Sequence, residues 1–346
     1  MPPRDPSADL RRIAFLLERS RADTFRVRAY RTAAAVVDSL GPEELAERAA
    51  RGTLTSLRGI GTTTATVVAA SVAGEMPGHL ERLEEDALAP LADLDAEGQA
   101  LMDAMLGDCH LHSDWSDGGS PPSEMARAAR DDVGHAWAVL TDHSPRLTVA
   151  RGLSADRLRE QLDLVARLND DLAPFRLLTG IEVDINPDGT LDQQPELLAR
   201  LDVVVGSVHS ELRMPAAQMT VRLLRAVANP DMDVLGHCTG RLVDGPRAPR
   251  AESAFDAEVV LAACATAGVA VEVNARPERL DPPRRLLRLA VQAGCLLAVD
   301  SDAHAPGQLA WQPYGVARAV ECGARPDRVV TTWSAQRVLG WTGSRG

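Results

Sequence analysis

The sequence predicts an α/β fold, a closed or nearly closed barrel of seven βα units, preceded by a small all-α domain. Three observations predict it. From Gly107 onward short apolar runs alternate with helix-patterned stretches, the rhythm of a mostly parallel sheet. Six of the eight histidines (His110, His112, His143, His209, His237 and His304) stand at the C-terminal ends of those runs, and only His79 and His135 fall outside the pattern. Between Asp9 and about Leu94 the apolar residues recur with helical spacing and show no strand-like alternation.

The helical domain spans residues 1–95. Leu10, Ile13, Leu16 and Leu17 form one apolar stripe, and Val27, Tyr30, Ala34, Val36 and Val37 form another within Phe25–Leu40, which Gly41-Pro42 ends. Seven arginines (Arg11, Arg12, Arg19, Arg21, Arg26, Arg28, Arg31) face only Glu18 and Asp23 over the same stretch, a pattern that suits a solvated helix face or a phosphate-facing surface. Next comes Leu57-Arg58-Gly59-Ile60-Gly61, followed by a helix from Thr62 to Val72. The two glycines permit a tight turn whose N–H groups, at the start of a helix, suit a phosphate. Glu81–Glu97 is acidic and helical, a helix and linker into the second domain.

The second domain spans residues 105–342. Its first strand ends in His110-Leu111-His112, which puts two imidazoles on one side of an extended chain, with Asp117 following after a turn. Taken alone, such a pair serves equally well as polar surface. The runs Ala136–His143, Val203–His209, Val234–His237 and Leu296–His304 end in histidine, while Leu177–Glu182 and Val269–Asn274 end in a carboxylate or an amide. Helical patterns lie between them at Pro122–Arg130, Ser154–Asn169, Gln194–Ala199, Pro215–Val227, Ala251–Ala267 and Pro283–Ala293, and Pro313–Cys322 and Ser334–Leu339 close the chain. Sites in such folds lie where the strands end.

Composition narrows the function. The 346 residues have a net charge of -12, which opposes nucleic-acid binding through overall electrostatics and leaves room for a local basic face. Five cysteines (Cys109, Cys238, Cys264, Cys295, Cys322) show no Cys-x-x-Cys spacing, so neither a disulfide framework nor a zinc ribbon is suggested. No apolar run approaches the roughly 20 residues needed to cross a bilayer, and the first twelve residues are unlike a signal peptide, so the expected location is the cytoplasm.

Residues 107–340 resemble the polymerase and histidinol phosphatase (PHP) family of metallophosphoesterases. The matching pieces are His110-Leu111-His112 with Ser116-Asp117-Gly118, Thr141-Asp142-His143, Gly180-Ile181-Glu182-Val183-Asp184 and Gly206-Ser207-Val208-His209. They continue through Gly236-His237-Cys238-Thr239-Gly240-Arg241, Glu272-Val273-Asn274-Ala275 and Asp300-Ser301-Asp302-Ala303-His304. A proline usually stands where Cys238 does here. Residues 25–73 resemble the helix-hairpin-helix domain of bacterial X-family DNA polymerases, except that Thr62 and Thr63 replace its usual basic residue. The expected architecture is thus a distorted (β/α)7 PHP barrel behind a helix-hairpin-helix domain, with no polymerase palm between them.

The resemblance implies two to three divalent ions. One takes His110, His112, Glu182 and Asp302; a second shares Glu182 and adds His209 and His237; a third uses Asp117, His143 and His304. Imidazole and carboxylate ligands suit zinc, manganese or iron(II). Asp142, Asp184 and Asp300 adjoin ligands, where they either orient them or cap helices. A metal-bound water, held by the His110, His112, Glu182 and Asp302 group, is the expected nucleophile on a phosphoester. Arg241 and Arg276 are candidate phosphate clamps, and Gly59 and Gly61 candidate DNA contacts.

Three functions compete at this stage. The first is a phosphoesterase acting on DNA ends, a 3'-5' exonuclease or 3'-phosphatase that its hairpin domain recruits to DNA. The second is a small-molecule phosphatase of the histidinol-phosphate type. The third is an inactive DNA-binding or scaffold protein, against which nine intact ligand-type residues stand. The chain contains no lysine, which removes the amine that the lyase members of the polymerase family use. Borohydride treatment in the presence of an abasic-site oligonucleotide is accordingly expected to trap no covalent protein–DNA adduct.

Overall fold

The computed structural model describes residues 4–245 and 248–344. The chain divides into two compact units, Met1–Pro90 and Leu91–Gly346.

Unit 1 is all helical: α1 (Pro6–Arg19), α2 (Thr24–Asp38), α3 (Pro42–Ala50), α4 (Thr62–Val72) and α5 (Gly78–Ala87). The predicted stripes are its core. Leu10, Ile13 and Leu17 of α1 pack with Val27, Tyr30 and Val37 of α2, all buried. Asp5 caps α1 and Asp23 caps α2, each accepting from first-turn amides. The helix and linker expected over Glu81–Glu97 are α5, which ends at Ala87 ahead of Pro90, and the stretch to Asp95, which caps a fresh start at α6 (Ala96–Asp103).

Unit 2 follows α6 with seven parallel strands in the order β1 to β7: Gly107–Leu111, Trp137–Leu140, Arg176–Asp184, Val203–Ser207, Val234–Leu235, Ala270–Asn274 and Leu296–Asp300. Between and after them run α7 (Pro122–Arg127), α8 (Ala155–Leu172), α9 (Pro195–Leu198), α10 (Ala216–Val227), α11 (Ala257–Ala267), α12 (Arg284–Gln292), α13 (Gln312–Glu321) and α14 (Ala335–Thr342). The helix expected from Ala251 starts at Ala257, where Asp256 caps it by accepting from the Val259 amide at 3.2 Å. Of the histidines expected at strand ends, His110 lies within β1, and His112, His143, His209, His237 and His304 lie just beyond their strands, on the loops of the C-terminal face.

The barrel closes by an unusual seam. Between β1 and β7 a single bridge pairs Leu111 with Ala303, and two buried carboxylates replace the rest of the ladder. Asp300 Oδ1 accepts from the Cys109 amide at 2.7 Å, and Asp108 accepts from the His110 and Ser301 amides at 3.0 and 3.2 Å. This seam is the barrel's distortion, and it gives Asp300 a task other than orienting a ligand. A register shift between Asp108 and Leu111, where β1 pairs with β2, adds a second irregularity. Adjacent residues of a regular strand face opposite sides, yet Cys109 packs in the barrel's inner cluster while His110 also reaches the interior and Glu272. The bulge re-aims one of them.

The barrel interior is apolar below the mouth. Cys109, Trp137, Val139, Leu178, Val203 and Val205 pack there with Trp333 and Val338, which come from the C-terminal segment. A second and larger cluster lies between strands and outer helices and includes Ile181, Leu223, Val260 and Leu287. Trp137 is fully buried, and its indole N–H donates to the Trp333 carbonyl at 2.8 Å. Trp137→Ala should destabilise the barrel by about 3–5 kcal/mol through lost burial and a residual cavity, measurable as a lower denaturant midpoint.

Candidate metal centre

The strand ends deliver nine polar side chains to one place at the C-terminal face. Glu182, at the end of β3, stands at their centre. Its Oε1 lies 2.8 Å from His237 Nε2 and 3.3 Å from His209 Nε2. Its Oε2 lies 2.7 Å from His143 Nδ1, 3.5 Å from His110 Nε2 and 3.6 Å from His112 Nε2. One carboxylate thus presents an oxygen to each of two groups of imidazoles.

The other two carboxylates complete the set. Asp302 Oδ1 is 3.5 Å from His112 Nε2 and 3.9 Å from His110 Nε2. Asp117 Oδ1 is 3.4 Å from both His143 Nε2 and His304 Nε2. Ligand atoms of His110, His112 and Asp302 lie within 4.8 Å of one another, as do those of His143, Glu182 and His209, and those of His112, Asp117, His143 and His304. The implied partition differs in detail. His143 stands between the second and third groups, and His237 joins through Glu182 alone.

Electrostatics favours cations here. For the groups whose pKa is shifted, burial disfavours charge and mutual attraction overrides it for most. The His143 pKa rises to about 10 because Glu182 and Asp117 outweigh its burial. His110 is held well above the usual imidazole value by Glu182, Glu272 and Asp302 despite burial, and His209 is raised by Glu182 and Asp184 in the same way. Conversely, burial lowers His112, with the neighbouring His304 and His143 adding to the effect, and lowers His237 beside Arg279. Glu182 and Asp302 stay well below the carboxylate range against burial, held there by their cationic neighbours.

Hydrogen bonding shows what the site fits. His110 Nε2, both ring nitrogens of His112, both of His209 and Glu182 Oε2 are buried without a hydrogen-bond partner. Polar atoms so buried are normally satisfied, and a divalent ion satisfies several at once. The imidazole and carboxylate donors therefore fit zinc, manganese or iron(II).

Supporting groups fix the ligands. Asp184 accepts from the His209 amide at 3.0 Å, and its Oδ1 lies 3.5 Å from His209 Nδ1. Asp142 holds the loop that carries Asp117, accepting from the Ser113 amide at 2.8 Å and the Ser116 hydroxyl at 2.5 Å. Any Cβ at Gly118, in that loop, would sit 2.7 Å from the Ser113 carbonyl carbon. His304 Nδ1 lies 2.9 Å from the Asp302 carbonyl, which leaves Nε2 toward Asp117.

Arg241 is arranged otherwise than expected. Arg241 does not offer a free guanidinium, because its Nε donates to the Arg279 carbonyl at 3.1 Å and its NH2 to the Leu280 carbonyl. It holds the loop, and Arg279, not singled out in the sequence, reaches the cluster, with Nε 3.0 Å from Asp302 Oδ2. Arg276 NH1 is 2.9 Å from both the Asp302 carbonyl and His304 Nδ1. The sequence carried one signal for Arg279, its place five residues after Asn274 on the same strand-end loop. His135, outside the histidine pattern, is a core residue with Nε2 2.9 Å from Gln312 Oε1, and burial pushes its pKa down to about 4.

Unit 1 holds a second candidate site. Gly59 takes a left-handed φ of 102°, and a Cβ there would meet Thr32 Cγ2 at 2.9 Å, so the turn needs glycine. The Gly61 amide donates to Thr64 Oγ1 at 3.0 Å, and Thr62 and Thr63 begin the helix, where amides have no intrahelical acceptor. They line a cleft of about 830 Å³ with Arg26, Tyr30, His79 and Arg82. Of the basic stretch, Arg11, Arg12 and Arg31 pair with Asp38, Glu84 and Glu18.

Comparison with known proteins agrees with this anatomy. Residues 1–74 match a helix-hairpin-helix domain family. The chain is 39% identical over 198 residues to the DNA polymerase/3'-5' exonuclease PolX of Bacillus subtilis, a match covering 57% of this chain and 34% of that protein. The chain therefore spans about a third of that relative's length. A probable phosphatase of Thermoanaerobacter sp. is 28% identical over 209 residues, covering 57% of this chain and 78% of the relative. Among solved structures, histidinol phosphate phosphatase from Lactococcus lactis, complexed with zinc, L-histidinol and phosphate, aligns at 18% identity and a TM-score of 0.47 over 64% of this chain and 95% of its own. The fold and cluster define a seven-stranded parallel barrel whose mouth carries side chains that could hold metal ions. The chain is similar over part of its length to that polymerase/exonuclease and to probable phosphatases, and the helix-hairpin-helix match precedes its barrel in sequence.

Glu182 and Asp117 raise the His143 pKa to about 10 against its burial, so at neutral pH a divalent ion competes with a proton for that ring. Calorimetric titration with manganese should show proton release and an affinity that rises with pH, and His110→Ala should weaken binding.

Proposed function

We propose that the protein is a metal-dependent phosphoesterase acting on DNA ends, as a 3'-5' exonuclease or 3'-phosphatase. The convergence of nine ligand-type side chains, Glu182 among them at the centre, carries the reading. His110, His112, Asp302 and Glu182 would hold one ion; Glu182, His209 and His237 a second; Asp117, His143 and His304 a third. Divalent ions bound there supply Lewis acidity, lowering the pKa of water and drawing charge from phosphoryl oxygens.

The protein's own groups do the rest. Glu182, with one oxygen toward His209 and His237 and the other toward His110, His112 and His143, would help hold two of the ions. Arg279 and Arg276, beside Asp302, provide positive charge for the non-bridging oxygens of a phosphoryl group. Asp142 and Gly118 shape the loop that presents Asp117 at the mouth, where it is 38% exposed and reachable by substrate.

The hairpin domain supports DNA as the substrate. In unit 1 the amides of Thr62 and Thr63, with Arg26 and Arg82, form a cleft suited to a DNA phosphate. The relative with the higher identity is named for a 3'-5' exonuclease. A small-molecule phosphatase is the second reading, favoured by the net charge of -12 and by threonines where a hairpin base is usual.

A 5'-labelled single-stranded oligonucleotide and histidinol phosphate, each incubated with manganese, separate the two. Shortening or 3'-dephosphorylation of the oligonucleotide is expected, lost in His110→Ala and slowed by Arg26→Ala/Arg82→Ala. Phosphate release from histidinol phosphate alone would move the protein to the small-molecule class.

A further inference from the structure

Strand β6 ends in Glu272 and Asn274, and neither is among the nine ligand-type residues. Both are fully buried. Residues two apart on a strand share a face, so both point the same way as Ala270, into the barrel and toward the cluster.

Their bonds run to three of the nine. Glu272 Oε1 lies 2.6 Å from His110 Nδ1. Its Oε2 accepts from the backbone N–H of His237 and, at 3.3 Å, from Asn274 Nδ2. Asn274 Nδ2 also donates to Asp302 Oδ2 at 3.0 Å, while Asn274 Oδ1 accepts from the Arg276 amide at 3.1 Å.

We propose that Glu272 and Asn274 form a positioning shelf that sets His110, His237 and Asp302 for metal binding. The proposal rests on the metal-site reading above. The functional groups at the two positions are not interchangeable. A carboxylate accepts on both oxygens and donates on neither, so Glu272 requires the proton of His110 on Nδ1. That leaves the Nε2 lone pair facing Glu182 and Asp302, at 3.5 and 3.9 Å. An amide in its place would turn a donor toward either His110 Nδ1–H or the His237 N–H.

Asn274 needs the opposite character. It donates to two carboxylates and accepts from one backbone amide, which only a carboxamide does at once. By drawing Asp302 Oδ2 toward itself, together with Arg279 Nε at 3.0 Å, it leaves Oδ1 for the two imidazoles. Among the described residues β6 is the strand whose end contributes orientation and no ligand.

The test uses metal affinity, so it stands apart from the identity of the substrate. Full-length protein stripped with EDTA is titrated with manganese by calorimetry, beside thermal unfolding of the same samples. Glu272→Gln should keep the unfolding temperature of the stripped protein and lose roughly 10–100-fold in manganese affinity. Asn274→Ala should lose affinity in the same direction, and in the DNA-end assay both should lower kcat with KM little changed. Wild-type affinity in folded Glu272→Gln overturns the proposal; if that variant does not fold, wild-type affinity in Asn274→Ala overturns it. Manganese binding without hydrolysis of any phosphoester would sink the functional reading and leave this one to stand on the affinities.

Discussion

Glu182 is the interaction on which the rest of unit 2 depends. A carboxylate buried among five imidazoles is tolerable because each neighbour offsets part of its desolvation, and the reverse holds for each imidazole. No one member is stable there without the others, so the set is held as a unit. The barrel makes that possible, because adjacent parallel strands end side by side and deliver their end residues to one mouth.

The seam between β1 and β7 shows how the fold gives way to the site. A regular ladder there would place Asp108 and Asp300 in competition with backbone groups. Instead their carboxylates take the amides of Cys109, His110 and Ser301, and the strands bend. Burial drives the Asp108 pKa up to about 6 and raises that of Asp300 well above its usual value, with Asp108 adding to it. Two polar residues buried in a seam are costly by themselves, and their bonds set the path of the chain into His110 and Asp302.

Much of this was legible in the residues. Strand and helix periodicity placed all seven strands, because a two-sided apolar strand between helical patterns has few other readings. The histidines at the ends of those runs marked the mouth. Less legible was the role of each arginine. Arg241 sits beside His237 in sequence yet faces backbone carbonyls, whereas Arg279 reaches Asp302 through a loop whose path no local pattern encodes. The arginine surplus of unit 1 was equally ambiguous, since pairing with Asp38, Glu84 and Glu18 depends on helix packing.

Residue type and spacing by themselves determined that a strand-end cluster of imidazoles and carboxylates exists, and that a glycine turn precedes a helix in unit 1. Both follow from local rules: strands alternate, and glycine alone takes the turn at Gly59 without strain. Only the tertiary structure decided that Glu182 presents one oxygen to each group of imidazoles, that His143 stands between two groups, and that β6 orients rather than ligates. Those outcomes depend on distances between strands far apart in sequence, and barrel closure sets such distances where periodicity cannot.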